Sequence, residues 1–422
     1  MNMREMKDSG IEWVGNIPAT WKSIQIKNLF TILSGATPTP DTDNWDGDVL
    51  WITPADYKTK DKYVSGGKRN ISQQGFNTCS TSMIPKGSII FSKRAPIGTV
   101  AINTEVLCTN QGCLSCVSKA DTCNDYYYYV MSVGTEHFEL LGSGTTFKEI
   151  SANSFSNCKL PCPDKCEQEK IASFLDERCS AFNCLISDIQ SQIEALEEYK
   201  RSVITEAVTK GLDPDVEMRD SEVQWIGMMP THWDCQRGKY ILRYVQKPVR
   251  DDDGVITCFR DGEVTLRSNR REEGFTMADK EIGYQGIDVG DLVVHGMDGF
   301  AGSIGISDSR GKASPVLNVL DTEQNKRYIM YYLRSMAYND VFVALATGIR
   351  VRSCDLRWNK LAELLYPMPP IEEQQAIVEH IDSVLERTNA IISEKKQQIE
   401  TIEEYKKSLI FEYVTGKKEV QA

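Results

Sequence analysis

Two segments of this 422-residue sequence occur twice, in the same order, around stretches that differ. The segment Asp8–Trp21 recurs as Asp220–Trp233, with its Asp, Ser, Trp, Gly, Pro and final Trp in register. Residues 161–209 recur as residues 367–415, with the Glu-Gln and Glu-Glu-Tyr-Lys sequences at matching positions. Self-similarity of this kind indicates a duplicated structural unit. We therefore expect two alike scaffolds that carry two unlike heads.

The longer repeat has the apolar spacing of a coiled coil. Its apolar residues follow one another at steps of three and four, and neither Pro nor Gly interrupts residues 171–210 or 371–415. This pattern predicts two long helices of about 60 Å, at about 1.5 Å per residue. If the seams pack together, the second helix runs antiparallel to the first and brings Gly416 back to the N-terminal repeat. The predicted seam consists of Phe182, Ile186, Ile189, Ile193, Leu196, Tyr199 and Val203 in the first helix, and Thr388, Ile392, Lys395, Ile399, Ile402, Tyr405 and Leu409 in the second.

Turn-forming residues are more frequent in the two heads, residues 22–160 and 234–365, than in the predicted long helices. Short apolar runs such as residues 49–52 and 291–294 lie among Gly, Pro, Asp and Asn residues. This pattern predicts short strands with some helix. The fold class is thus predicted to be α+β: two mostly-β heads joined by two long antiparallel coiled-coil helices, with a pseudo-two-fold internal repeat.

Composition indicates the cellular compartment in which the chain is expected. The sequence has 13 cysteines, an odd number without framework spacing, which is typical of reduced thiols in a cytoplasm. No stretch approaches 18 consecutive apolar residues, and the first residues lack an apolar signal region. We therefore expect a cytoplasmic protein without a membrane partner. The net charge of -12 is unevenly distributed, because the acidic excess falls mainly in residues 161–233 and 366–422.

The motifs of common catalytic centres are missing from the sequence. It contains neither a phosphate-binding G-x-x-x-x-G-K-S/T stretch nor the Asn-Pro-Pro-aromatic signature of amino-methyltransferases. Carboxylates between Asp164 and Lys170 have the wrong spacing for a nuclease site. The Cys113-x-x-Cys116 pair favours structural thiols over zinc, because the second head has no equivalent cysteines. We predict no catalytic residue and no metal site, so the chain is not expected to be an enzyme.

Two motifs carry a family resemblance. Pro161-Cys162-Pro163 precedes Glu167-Gln168, and Pro367-Met368-Pro369 precedes Glu373-Gln374. Together with the Trp-x-Gly-x-x-Pro-x-x-Trp segment at residues 13–21, these motifs make the chain similar to specificity subunits of type I restriction-modification systems. The resemblance extends over essentially the whole chain.

This resemblance implies a DNA-recognition subunit without catalytic activity of its own. Each head would be a target-recognition domain that reads one half of a bipartite site in double-stranded DNA, and the helices would set the spacing. The scaffold would dock two methylation subunits, and motor-nuclease subunits would bind through them. The chain itself would hold no cofactor, since S-adenosylmethionine, ATP and Mg²⁺ are expected on the partner subunits. The assembled complex would carry adenine-DNA methyltransferase and ATP-dependent endonuclease activity.

The repeats also predict a division of the chain into four segments. We expect a first target-recognition domain with the N-terminal scaffold segment in residues 1–160, and a first long helix in residues 161–212. A linker and the second target-recognition domain follow in residues 213–365. The second long helix and the C-terminal tail occupy residues 366–422.

Basic and amide side chains in the heads are the candidates for DNA contact. Phosphate contacts fix the register of a protein on DNA, whereas hydrogen bonds to base edges read the sequence. The alternative for each residue is an ordinary solvated loop, which Glu272-Glu273 favours near Arg271. The candidates are Lys68, Arg69, Lys93, Arg94, Asn110, Gln111 and Lys148 in the first head, and Arg267, Asn269, Arg270, Arg271, Arg350 and Arg352 in the second.

Two other functions fit the same pattern. A non-catalytic coiled-coil scaffold with two β-rich heads that bind proteins or small ligands is one alternative. An enzyme with an unrecognised site is the other, and the missing motifs argue against it. Only DNA binding predicts an affinity that falls linearly with salt on logarithmic axes.

Overall fold

The structure is a computed structural model that describes residues 4–57, 61–144, 148–270, 282–345 and 356–420. The chain forms two compact units. Unit 1 contains Met1–Asp188 and Gln397–Ala422, and unit 2 contains Ile189–Lys396. Each unit therefore holds one head together with one half of each long helix. In the described part of the chain, no helix has both the length and the apolar character needed to cross a membrane.

The first half of the chain ends in the first long helix. Its strands are β1 (Met6–Asp8), β2 (Asn16–Pro18), β3 (Lys22–Gln25), β4 (Phe30–Ser34), β5 (Trp45–Val49), β6 (Trp51–Ile52), β7 (Tyr63–Val64), β8 (Ile89–Lys93), β9 (Ile97–Asn103), β10 (Cys108–Thr109), β11 (Cys113–Ser118) and β12 (Lys159–Cys162). Its helices are α1 (Ile26–Leu29), α2 (Gln73–Thr78), α3 (Asn124–Val133), α4 (Thr135–Leu140), α5 (Ala152–Asn157) and α6 (Lys165–Lys210).

The first head is built on a five-stranded sheet with the order β4-β11-β8-β9-β7. Both faces of this sheet are covered. Ile89 and Phe91 of β8 belong to the core that includes α3 and α6, whereas Ile90 between them belongs to a separate core on the other face. Because alternate strand residues point to opposite faces, a strand covered on both sides becomes a continuous apolar run.

The second half of the chain ends in the second long helix. Its strands are β13 (Met218–Asp220), β14 (Met228–Pro230), β15 (Asp234–Arg237), β16 (Arg243–Val245), β17 (Ile256–Cys258), β18 (Val264–Leu266), β19 (Gln285–Ile287), β20 (Leu292–His295), β21 (Ile304–Ile306), β22 (Gly311–Ala313), β23 (Leu317–Asp321) and β24 (Leu365–Met368). Its helices are α7 (Gly238–Ile241), α8 (Lys326–Tyr338), α9 (Val341–Ala344), α10 (Trp358–Leu361) and α11 (Ile371–Val414).

The second head has the sheet order β16-β23-β20-β21, which repeats the order β4-β11-β8-β9 of the first head. Its central strand is covered in the same way, with Leu292 and Val294 in one core and Val293 in the other. The heads are therefore unlike in sequence and alike in topology. Sequence comparison shows this only faintly, in residues 97–102 of β9 and residues 301–306, which end in the matching strand β21.

The repeated Trp and Glu residues form one hydrogen bond in each unit. The indole Nε1 of Trp21 donates to Glu167 at 2.9 Å, and that of Trp233 donates to Glu373 at 3.1 Å. Each bond joins the short repeat to the start of a long helix, where a carboxylate also interacts favourably with the helix dipole. The bond explains why the two motifs recur together.

The repeated Gln has an equally specific place. The side-chain Nε2 of Gln168 donates to the Pro163 carbonyl at 2.9 Å, and its Oε1 accepts the Cys123 N–H at 2.9 Å. Gln374 repeats both bonds in unit 2, with the Pro369 carbonyl at 2.9 Å and an N–H of the head at 3.0 Å. Both glutamines are buried, and a buried amide needs such partners.

The long helices pack antiparallel within each unit. In unit 1 the ring centroids of Phe174 and Tyr413 are 4.5 Å apart, and those of Phe182 and Tyr405 are 5.6 Å apart. Residue numbers thus increase along α6 where they decrease along α11, so the two helices run in opposite directions. In unit 2, Val208 near the end of α6 shares a core with Ile377 near the start of α11. The predicted α+β class with long antiparallel helices is confirmed.

The burial of the predicted seam residues varies along the helices. Ile189, Ile193, Thr388, Ile392 and Leu409 are buried. Phe182, Ile186, Leu196, Val203, Lys395, Ile399 and Ile402 are half-buried.

Two seam residues lie at the rim instead. Tyr199 and Tyr405 are 52% and 56% exposed, whereas the following residues, Lys200 and Lys406, are half-buried. A tyrosine at the rim packs its ring edge and keeps its hydroxyl in water.

Each long helix ends at a glycine with positive φ that lies against a short repeat. Gly416 has φ 71°, and a Cβ there would lie 2.4 Å from Pro18 and 3.1 Å from Trp21. Gly211 has φ 78° and lies against Trp233 in unit 2. The left-handed conformation stops the helix, and the close approach leaves no room for a side chain. The predicted return of Gly416 to the N-terminal repeat is confirmed.

Candidate nucleic-acid interface

The sheet of the first head has two dissimilar ends. One end adjoins the long helix, since Cys123 just after β11 bonds to Gln168 of α6. We call the other end, formed by residues 93–96 and 110–112, the distal end of the first head. The Lys93 N–H donates to the Gly112 carbonyl at 2.9 Å, which places these two loops side by side.

Lys93 and Arg94 share one carboxylate at the distal end. The Lys93 Nζ is 2.8 Å from Glu149 Oε1, and the Arg94 Nη1 is 3.4 Å from Glu149 Oε2. The hydrogen bond from Lys93 holds the pKa of Glu149 below its usual value. Lys148 is exposed beside this cluster. Since one carboxylate serves two cations, the cluster keeps a net positive charge.

The predicted amides hold a turn. The Asn110 Oδ1 accepts the Gly112 N–H at 2.9 Å, so this side chain shapes the distal end from within. Gln111 is exposed and its Oε1 accepts the hydroxyl of Thr37. Thr37 is an exposed polar residue that the sequence pattern did not indicate, because nothing in its local sequence reveals a neighbour in the loop before β11.

Lys68 and Arg69 lie on a loop beside these residues. The Lys68 N–H donates to Asp56 at 3.0 Å and its side chain is exposed. Arg69 forms two hydrogen bonds with Asp46, at 3.1 and 3.2 Å, and lies 4.2 Å above the Trp45 ring. The bonds from Arg69 lower the pKa of Asp46. A guanidinium fixed on an aromatic face is pre-organised for a planar, charged partner.

The candidates of the second head are less concentrated. Arg267 Nε donates to Thr257 at 3.3 Å, and Asn269 donates to Thr265 at 2.8 Å, so both are tied to the β17–β18 hairpin. Arg270 reaches the turn of this hairpin, where its Nη1 is 2.7 Å from Asp261. Arg271, Arg350 and Arg352 lie outside the described residues.

The second head nevertheless has an equivalent distal end. The Gly296 N–H donates to the Val316 carbonyl at 2.8 Å, as Lys93 donates to Gly112 in the first head. The register agrees, because His295 pairs with Leu317 as Ser92 pairs with Cys113. We call residues 295–299 and 314–316 the distal end of the second head. No motif in the sequence indicated these residues.

The cysteines of the first head do not resemble metal ligands. Burial raises the pKa of the Cys113 thiol to about 12, and it raises the pKa of Cys116 further. Metal ligation requires the thiolate, which burial disfavours. Within the described ranges, no three His, Cys, Asp or Glu side chains are grouped to hold a metal ion.

Comparison with known proteins identifies the family. The sequence model described as "Type I restriction modification DNA specificity domain" matches residues 18–195 and 290–401. Because these ranges cover more than half of the chain, the chain belongs to this family. The predicted resemblance is thereby confirmed.

Individual relatives agree with this assignment. The MjaIX type I restriction enzyme specificity subunit of Methanocaldococcus jannaschii is 36% identical over 189 residues, 44% of this chain and 43% of that subunit. The match thus spans less than half the length of the MjaIX subunit. The MjaVIII specificity subunit of the same organism is 25% identical over 309 residues, 69% of each chain.

A solved structure shares the fold over nearly the full length. It is described as showing complex assembly and conformational transition of the type I R-M system. One of its chains gives a TM-score of 0.67 at 13% identity, and the match covers 94% of this chain and 98% of that one.

Proposed function

We propose that this chain is the sequence-specific DNA-recognition subunit of a type I restriction-modification complex and has no catalytic activity of its own. The observation that carries the proposal is the duplicated head: one sheet topology occurs twice, each time on the same scaffold, with different polar loops at the distal end. Each head then reads one half of a bipartite site. Two independent readers on one scaffold leave the bases between the half-sites unread.

Charge at the distal end of the first head supports this function. Lys93 and Arg94 share the single carboxylate of Glu149, and the exposed Lys148 precedes it in the chain. Phosphate oxygens can take over the ion pairs that Glu149 forms. The net charge of -12 does not oppose local binding, because charges beyond a Debye length of about 8 Å are largely screened.

The attachment of each head to a long helix supports a role in half-site spacing. The Tyr129 hydroxyl donates to Asp176 of α6 at 2.6 Å, and Lys62 bonds to the same carboxylate. In unit 2, Tyr331 and Arg327 bond to Asp382 of α11 at 2.5 and 2.6 Å. Each head is thus fixed to a helix by a tyrosine and a cation, so the helices act as the ruler. Half-site centres about 34 Å apart, one DNA turn, would suit this arrangement.

The duplicated scaffold also supports the proposed partners. Two equivalent scaffold surfaces would bind two methylation subunits, and motor-nuclease subunits would join through them. S-adenosylmethionine, ATP and Mg²⁺ belong to those partners in this proposal. Light scattering of the assembled complex tests the number of methylation subunits, and saturation at one subunit would contradict it. The cytoplasmic location stays a prediction.

Salt-dependent DNA binding tests the proposed function directly. An electrophoretic shift with duplex DNA is expected to weaken along a straight line on logarithmic axes of affinity and salt. Co-expression with the methylation subunit, followed by genome-wide mapping of modified adenines, should then give a two-part motif. Absence of a salt slope would favour the scaffold whose heads bind proteins or small ligands.

A further inference from the structure

An arginine that the candidate set does not contain lies at the distal end of the second head. The hairpin turn between β17 and β18 packs there, since a Cβ on Gly302 would lie 2.7 Å from the Arg260 carbonyl oxygen. The Arg260 Nη2 is 3.2 Å from Asp298 Oδ1. Asp298 belongs to the turn that follows β20, the position that Arg94 and Ala95 occupy after β8 in the first head.

The turn that carries Asp298 is itself held in place. The Asp298 N–H donates to Nδ1 of His295 at 2.9 Å, and the Met297 N–H donates to the same nitrogen at 3.2 Å. His295 is half-buried at the end of β20, so the imidazole ties the turn to the sheet. These bonds fix the backbone position from which the Asp298 carboxylate reaches Arg260.

Arg260 combines a fixed position with access to solvent. Its side chain is 65% exposed, and Asp298 contacts only one of its terminal nitrogens. A guanidinium has five N–H donors in a planar fork. With one edge held by a carboxylate, the opposite edge still offers paired donors, the pattern that matches O6 and N7 of guanine in the major groove.

We propose that Arg260 is a specificity-determining residue of the second head that reads a guanine in its half-site, and that Asp298 is its positioning residue. This inference rests on the proposed function, and it names the residue that carries recognition in the second head. It also explains how this head reads DNA although Gly296 stands where the first head has Lys93.

The chain supplies a matched control for this ion pair. Arg243 is also 65% exposed and lies 3.2 Å from Asp321. The pair joins β16 to β23 at the opposite end of the same sheet, because Asp321 ends β23 whereas Leu317 at the distal end begins it. The two pairs therefore match in exposure and length and differ in their place on the head.

The test compares full-length variants in complex with the methylation subunit. Mapping of modified adenines with Arg260→Ala should show one relaxed position in one half-site, and binding to the wild-type site should weaken about 10-fold or more. Arg260→Lys keeps the charge and loses the fork, so it should relax the same position. Asp298→Asn should relax that position less, and Arg243→Ala should leave motif and affinity unchanged.

Each other outcome overturns a defined part of the inference. An unchanged motif and affinity with Arg260→Ala would show that the pair is only a surface ion pair. A uniform loss of affinity, with a salt slope smaller by about one and no relaxed position, would make Arg260 a phosphate contact. Equal relaxation by Arg243→Ala would show general damage to the head. If the wild-type complex itself gave no two-part motif, the proposed function would fail first.

Discussion

The two heads place different chemistry on one backbone frame. In the first head, Lys93 ends the central strand, Arg94 follows it, and the two share Glu149. In the second head, Gly296 occupies the position of Lys93, and the nearby cation, Arg260, comes from a hairpin outside the four-strand core. The backbone hydrogen bonds at these positions are nevertheless alike. The comparison teaches that the sheet backbone, here called the frame, is separable from the polar side chains at the distal end, here called the reading surface. Loops from different parts of a head can supply these polar groups while the sheet stays constant.

The contacts between each head and the long helices behave in the opposite way, because they keep individual side chains. Tyr126 and Tyr328 are both fully buried, and each hydroxyl bonds to the carbonyl of a residue near the end of a long helix, Val414 at 2.9 Å and Val208 at 3.2 Å. Such bonds depend on the geometry of one atom, so few replacements satisfy them.

Exchange of a whole head gives the largest expected effect. If frame and reading surface are separable, replacement of residues 22–160 by the corresponding head of another family member should change one half of the modified motif completely and leave the other half intact. Genome-wide mapping of modified adenines measures both halves at once. Simultaneous change of both halves of the motif would contradict the separation of frame and reading surface, because the heads would then not read their half-sites independently.

Lengthening the helices tests the spacing without altering either head. Seven residues inserted near Glu198, with a matching insertion near Glu404, preserve the seam register and add about 10 Å of helix. The unread gap should grow by about three base pairs, at 3.4 Å per base pair. The control carries an insertion in one helix only, which mismatches the seam and should impair assembly. A gap of unchanged length in the doubly extended protein would refute the ruler.

Removal of the buried hydroxyls of Tyr126 and Tyr328 compares the contacts between head and long helix in the two units. Tyr126→Phe and Tyr328→Phe should each lower the free energy of unfolding by about 1–3 kcal/mol, because buried carbonyls lose a donor. The urea midpoint of the full chain measures this loss. Tyr405→Phe is the matched control, since Tyr405 is 56% exposed and should tolerate the change. A large loss in one half only would mean that the halves are not equivalent.

Release of the shared carboxylate should give the smallest change. Glu149→Gln frees Lys93 and Arg94, so non-specific DNA affinity should rise about threefold and the salt slope should steepen by about one. The matched control is Glu136→Gln, which removes the same charge from the 2.6 Å pair with Lys407 on the scaffold. Equal gains from both variants would assign the effect to net charge alone.

The same carboxylate predicts a pH dependence. The pKa of Glu149 is lowered by its bond from Lys93, so the ion pair is complete above the ordinary glutamate pKa and is lost as pH falls through the lowered value. Non-specific affinity of the wild type should therefore rise at acidic pH toward that of Glu149→Gln. A pH profile identical in the two proteins would contradict this assignment.

The sequence predicted most of the scaffold and little of the distal ends. The long helices follow from an uninterrupted apolar period. The repeated motifs were recognised, but the contact of Trp21 with Glu167 is known only from the structure. The sequence pattern did not predict the exposure of Tyr199. At this turn of the helix the half-buried position is that of the next residue, Lys200.

The common topology of the heads was hidden for a physical reason. Strands covered on both faces need only apolar side chains of suitable size, so a match such as Ile90 with Val293 leaves no motif. The pairing of Lys93 with Glu149 joins residues far apart in the sequence, as does that of Arg260 with Asp298. Local patterns carry no record of these pairs, since they form only when the loops meet.

The hydrogen bonds from Tyr129 and Lys62 to Asp176 have a mechanical consequence for the proposed recognition of DNA. A head of this length is about 30 Å across, so a tilt of about 6° at its attachment would move the distal end by about 3 Å, close to one base-pair step. If the heads read DNA as proposed, reading in the correct frame depends on the angle at which each head is attached to its helix. Tyr129 and Lys62 meet Asp176 from two separate elements, and two contacts restrict rotation where one would act as a pivot.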